Sequence, residues 1–207
     1  MLNANTRIYT GFSLIELLIA MAISISLITA LISFVSVNLI GHSKLIMQQR
    51  LSDELHSIVS LIQSDLNRAG FDATSALQYT LSNNYAAAFA NSIELSAFPG
   101  EPVDSCVTFA YDRDMDGEID AANPNERFGF RLRENSIEVR QRGLLCDANG
   151  WQDISDSSVI IIDHFAIQTL DENGSNSRLA VRIDASSKQI PSIQRRIQRH
   201  WQISNEH

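Results

Sequence analysis

Residues 11–40 read GFSLIELLIAMAISISLITALISFVSVNLI, and from Leu17 to Val37 the run holds no charged residue, no glycine and no proline. At about 1.5 Å of rise per residue, a helix over that run covers a hydrocarbon core of roughly 30 Å. A helix of a soluble core keeps a charged face over that distance, and this one has none, so the run reads as a membrane span. Glu16 is the exception. A carboxylate one turn into the apolar run costs about 2.5–3.5 kcal/mol on insertion scales unless a cation meets it. The alternative is that it reaches back to the interface along its own stem.

Working outward, Gly11-Phe12-Ser13-Leu14-Ile15-Glu16 places a small residue before an aromatic one, with a glutamate at the fifth place from Phe12. This resembles the class III signal of type IV prepilins and pseudopilins. The resemblance implies a leader, residues 1–11, removed by a prepilin peptidase between Gly11 and Phe12, and methylation of the new Phe12 amine. It also implies that Glu16 is an assembly counter-ion, meeting the N-terminal amine of a neighbouring subunit in a helical filament. The cut precedes the apolar run, so the span, residues 12–40, stays in the product, unlike that of a secretory signal. Arg7 in the leader orients that end to the cytoplasm, which sends the rest of the chain to the periplasm as a single-pass inner-membrane protein.

A length of 207 residues at 44% hydrophobic composition suits one anchor plus one globular domain. The formal charge is −8, and loss of the leader with Arg7 makes it −8 − 1 = −9. Such a balance disfavours nucleic acid or an anionic membrane as partner for the whole domain. Cys106 and Cys146 fit an oxidising compartment, where an even, sparse set of thiols pairs, so a Cys106–Cys146 disulfide is expected over two buried free thiols. No CxxC spacing or histidine partner accompanies them.

Past the membrane, Leu51, Leu55, Ile58, Val59, Ile62 and Leu66 recur at helical spacing, with Asp53, Glu54, Gln63, Ser64 and Asp65 between them. Gly70 is a suitable stop, so one helix is expected from about Phe12 to Ala69, residues 41–70 forming an amphipathic spine and Gly41 a flexible point or a tolerated glycine. Ser64-Asp65-Leu66-Asn67-Arg68-Ala69-Gly70-Phe71 resembles the helix end of minor pilins of the PilW type and of the related J-type pseudopilins of type II secretion. Cys106–Asp112, Phe128–Arg133, Cys146 and Gly150-Trp151 are similar to the same group. The resemblance implies an α+β pilin fold, the spine packed on an antiparallel sheet in a periplasmic β-rich domain, residues 71–207. Residues 71–91 read as a loop with short helical pieces, and 92–98, 105–111, 127–133, 136–141, 158–170 and 178–184 as strands, the last two joined by a turn at 171–175.

Asp112-Arg113-Asp114-Met115-Asp116-Gly117-Glu118-Ile119-Asp120 repeats DxDxDGxxD, the first nine places of an EF-hand-like loop. Asp112, Asp114, Asp116, the Glu118 carbonyl and Asp120 are then candidate ligands for Ca2+, with Gly117 at the sharp turn. At the twelfth place Asn123, followed by Pro124, stands where a bidentate glutamate belongs, and Glu126 replaces it only if the loop curls back. An acidic turn with no metal is the competing reading.

The tail holds Lys188, Arg195, Arg196 and Arg199, with Ile193, Ile197, Trp201 and Ile203 at spacings that suit a strand or a helix; the family likeness selects a strand. Contact of this strand and Trp201 with DNA is the minor alternative to pairing with acidic neighbouring subunits. His42, His56, His164, His200 and His207 are scattered without ligand spacing, and no catalytic constellation appears, so no enzyme and no required cofactor is expected. The expected role is a minor type IV pilin that helps initiate or cap a pilus, with the prepilin peptidase and other minor and major pilins as partners, ending in the fibre or its tip. A J-like pseudopilin, or a signal-anchored calcium-binding or adhesive module that never polymerises, are the alternatives.

Overall fold

The structure, a computed structural model, describes residues 11, 13–81, 89–90, 92–120, 122, 125–170 and 178–205. Leader residues 1–10, Phe12, Asn123, Pro124 and the expected 171–175 turn lie outside them. Helix α1 runs Leu14–Leu66. The chain divides into two compact units, residues 1–46 and 47–207.

In the first unit every described side chain is exposed, among them Leu17, Leu18, Ile23, Leu27, Ile28, Leu31 and Phe34. The helix is long and apolar enough to cross a membrane. Its few polar side chains are satisfied internally: Ser24 donates to the Ala20 carbonyl, Thr29 to Ile25, Ser33 to Thr29, Ser36 to Ile32 and Asn38 to Phe34, at 2.7–2.9 Å. Such back-bonding pairs these polar groups without water, as a span through hydrocarbon requires. Gly41 lies inside the helix without interrupting it.

In the second unit Leu51, Leu55, Ile58, Ile62 and Leu66 are all buried, the 3.6-residue stripe read from the sequence. The helix ends at Leu66 rather than Ala69, and the chain closes through turn bonds from Arg68 to Asp65 and from Ala69 to Leu66. Gly70 takes φ 75°, and its N–H donates to the Ala110 carbonyl at 3.0 Å, which explains the stop: that donor serves a strand instead of the helix. A short helix α2, Ser75–Leu81, follows.

Among the described residues eight strands come next, all paired antiparallel: β1 Glu94–Ser96, β2 Cys106–Ala110, β3 Arg127–Arg133, β4 Ser136–Val139, β5 Gln152–Asp153, β6 Ile160–Thr169, β7 Arg178–Ser187 and β8 Gln194–Gln202. They form two sheets, β1-β2-β3-β4-β5 and β6-β7-β8, where the sequence pointed to one. Alternation marks strands but does not say which ones pair. The sheets are tied by backbone bonds from Ile162 to the Asn135 carbonyl and from Ile167 to that of Asp104, both 2.9 Å. One core cluster contains Leu55 and Ile62 of the helix, Val107, Phe109 and Phe130 of the larger sheet, and Phe165, Val181 and Trp201 of the smaller. The five helix residues therefore belong to the core of the C-terminal unit, and a fragment starting at Phe71 would lack them.

Candidate processing site, disulfide loop and acidic loop

Ser13, just outside α1, accepts the first helical bond from the Leu17 N–H at 3.2 Å, and its own N–H donates to the Glu16 carboxylate at 2.9 Å. Glu16, at the third helical position, thus closes the glutamate half of a capping box, and its charge sits at the positive end of the helix dipole. Gly11 is exposed and a Cβ there would meet nothing within 4 Å. Phe12, across the expected cleavage point, lies outside the described residues.

Cys106 and Cys146 form a disulfide with 6.3 Å between their Cα atoms, spanning 40 residues of sequence. Cys106 begins β2, opposite Arg131 of β3. Two arginines hold the loop that carries Cys146. The Nη1 of Arg131 donates to the carbonyls of Cys146 and Ala148 at 2.6 and 2.7 Å. Arg140 reaches those of Leu144 at 2.6 Å and Gly143 at 3.0 Å, and burial lowers its pKa, with the Arg127 charge adding to the effect. The Trp151 indole donates to the Leu145 carbonyl at 3.1 Å. Arg131 is fully buried between aromatic rings, its guanidinium 5.0 Å from the Phe98 centroid and 4.6 Å from that of Trp151. Sequence reasoning missed both arginines: Arg131 stands inside the otherwise apolar Phe128–Leu132 run, where strand alternation alone does not bury it, and no local pattern marks Arg140.

The acidic loop curls back. Glu126 is fully buried, and its carboxylate accepts the N–H groups of Arg113, of Asp114 at 3.4 Å and of Asp120 at 3.1 Å. Asp112, also buried, accepts from Met115 at 2.6 Å, from Gly117 at 3.1 Å and from Ala73 at 3.0 Å. Gly117 has φ 82°, and a Cβ there would lie 2.3 Å from the Thr74 hydroxyl oxygen, so only glycine fits. Two carboxylate sets, Asp112–Asp114–Glu126 and Asp114–Asp116–Asp120, each bring their oxygens within 4.8 Å of one another. The four aspartates expected as ligands divide between these two sets and share Asp114, and the N–H of Glu118 donates to the Asp116 carboxylate at 2.8 Å. Desolvation, with the charges of Asp116 and Glu126, raises the pKa of Asp114.

On the tail, β8 confirms the strand reading, and Ile197 and Trp201 are buried. Trp201 is accordingly not presented for stacking on bases, which removes the aromatic half of a nucleic-acid site. Arg196 and Arg182 clamp Asp184: Arg196 at 2.7 and 2.9 Å, Arg182 at 3.2 and 2.6 Å.

Residues 7–32 match the prokaryotic N-terminal methylation motif, and residues 44–203 match the family described as prepilin peptidase-dependent protein B. The Escherichia coli (strain K12) protein of that name is 28% identical over 185 residues, 87% of this chain and 89% of the relative. A type IV-like pilin from Thermus thermophilus aligns with a TM-score of 0.42 at 12% identity, over 74% of this chain and 95% of that one. With an N-methylation motif at the head of its apolar helix and a match over most of the remaining length, the chain belongs to the type IV pilin-like family of prepilin peptidase-dependent protein B.

Proposed function

We propose that this protein is a minor type IV pilin, held in the inner membrane with its C-terminal domain in the periplasm. Once cut between Gly11 and Phe12 and methylated at Phe12, it helps initiate or cap a pilus. The observation that carries the reading is the placement of Glu16: a carboxylate at the head of an exposed apolar helix, three residues past the cleavage-proximal Ser13, with no cation paired to it among the described residues. A carboxylate carried into hydrocarbon needs a positive partner, and the methylated amine of an adjoining subunit supplies one. Loss of this protein should lower the number of pili while leaving the pool of processed major subunit intact, and the wild-type chain, but not Glu16→Ala, should restore them. Unchanged piliation without it would sink the assembly role and favour the secretion-pseudopilin or non-polymerising readings.

For the acidic loop the reading is a weak Ca2+ site. The convergence of the Asp114, Asp116 and Asp120 oxygens supports it. Backbone N–H groups already hold the buried Asp112 and Glu126, so the ion is not required for the loop to close.

A further inference from the structure

We propose that the cleft between His56 of α1 and edge strand β8 is a docking site for a carboxylate-rich segment, its occupant being the Asp114–Glu118 stretch of a second copy of this chain. The proposal rests on the subunit reading above. The protein carries 24 acidic and 16 basic side chains, yet three arginines fall within the nine residues of β8. Arg196 pairs with Asp184, which it shares with Arg182, whereas Arg195 and Arg199 are exposed and form no ion pair among the described residues. With His56, Gln194 and Gln198 they wall a cleft of about 530 Å³. β8 ends its sheet, so no described strand covers its far side.

The complement is on the same chain. Asp114, Asp116 and Glu118 are exposed, and none has a cationic partner among the described residues. Two different patches that meet across copies make a heterologous, head-to-tail contact, the kind that extends an assembly rather than closing a dimer. Nucleic acid is the poorer occupant, given a formal charge of −8 and a buried Trp201.

The test is sedimentation of the full chain in a neutral detergent with EDTA, because Ca2+ and the cleft compete for Asp114 and Asp116. Wild type should self-associate in a salt-sensitive manner, more strongly at about 0.05 M than at about 0.5 M ionic strength. Arg195→Glu/Arg199→Glu and Asp114→Lys/Asp116→Lys should each weaken association roughly tenfold, as expected for two lost exposed pairs. Mixing the two variants, or combining all four changes in one chain, should restore it, and Arg195→Lys/Arg199→Lys should retain it. Association that ignores salt and charge reversal, or none at all, overturns the proposal; so does a double-stranded oligonucleotide bound by wild type and lost on arginine reversal while the chain stays monomeric. Processing at Gly11, followed by mass in every variant, reports on the subunit reading separately.

Discussion

Arg131 and Glu138 face each other across the β3–β4 ladder, and the Arg131 Nε donates to the Glu138 carboxylate in a site where both residues are buried. Opposite Arg131 on its other side stands Cys106, so one guanidinium lies beside the disulfide, across from an acid and under two aromatic rings. Removing one partner of a buried pair costs about 3–5 kcal/mol, because the other charge stays without compensation. Arg131→Met should therefore destabilise the full chain by about that amount in urea unfolding. Arg131→Met/Glu138→Leu should recover part of it, and not all, since the carbonyls of Cys146 and Ala148 still lose their donor. A double variant less stable than the single one would contradict this account.

The disulfide closes 40 residues, for which loop-closure entropy gives about 4 kcal/mol. Cys146→Ser should lower stability by up to that much, and the alkylation of Cys106 should remain slow under native conditions because its side chain is fully buried. Non-reducing peptide mapping of the periplasmic protein checks the bridge itself.

What the sequence disclosed and what it hid follow from the range of each interaction. The anchor, the Leu51–Leu66 stripe, β3 and the cysteine pair were legible because each is a local period or an isolated pair. Glu126 was legible only as a condition, because it lies past the nine-residue motif and its burial depends on the loop returning to Tyr111, whose N–H reaches the Glu126 carbonyl at 3.4 Å. Arg131 was not legible: alternation would send a strand arginine to solvent, and only Phe98 and Trp151, distant in sequence, make its site tolerable. The two-residue β5 and the division into two sheets rest on pairing that no local pattern records.

Processing and assembly should separate. Gly11→Asp should leave an uncut precursor, because the peptidase reads a small residue there, whereas Glu16→Ala should be cut and methylated but recruited poorly into pili. Mass spectrometry of the wild-type mature chain should give an N-methylated Phe12 start; any other start removes the basis of the assembly reading. Glu16→Gln is informative as well. It keeps the reach to the Ser13 N–H and loses the charge, so a normal helix with defective assembly is the expected outcome.

For the acidic loop, the crowded carboxylates of Asp114, Asp116 and Asp120 repel less with a cation among them. A ligand of the folded state at a hundredfold excess over Kd stabilises it by about 2.7 kcal/mol, and a site without a bidentate glutamate belongs near the roughly 10⁻⁴–10⁻³ M range. Millimolar-scale calcium should raise the Tm of the full chain over its value in EDTA, and Asp114→Asn should remove the rise. Coincident melts would leave an acidic turn held by its own backbone.

The clamp on Asp184 sets a pH dependence whose direction is fixed. Desolvation alone would raise its pKa, but hydrogen bonds and charge from Arg182 and Arg196 prevail and bring it from 3.8 to about 2. A carboxyl with a depressed folded pKa adds stability that is fully present above its unfolded value and is lost as pH falls through the folded one. The window is therefore between about pH 4 and pH 2. Asp184 is partly solvated and both arginines are more so, which screens the clamp and holds its contribution to about 1 kcal/mol. Unfolding free energies of wild type and Asp184→Asn should differ by that amount at neutral pH, and the gap should close across this window. A gap that persists at pH 2 would assign the effect to packing in place of charge.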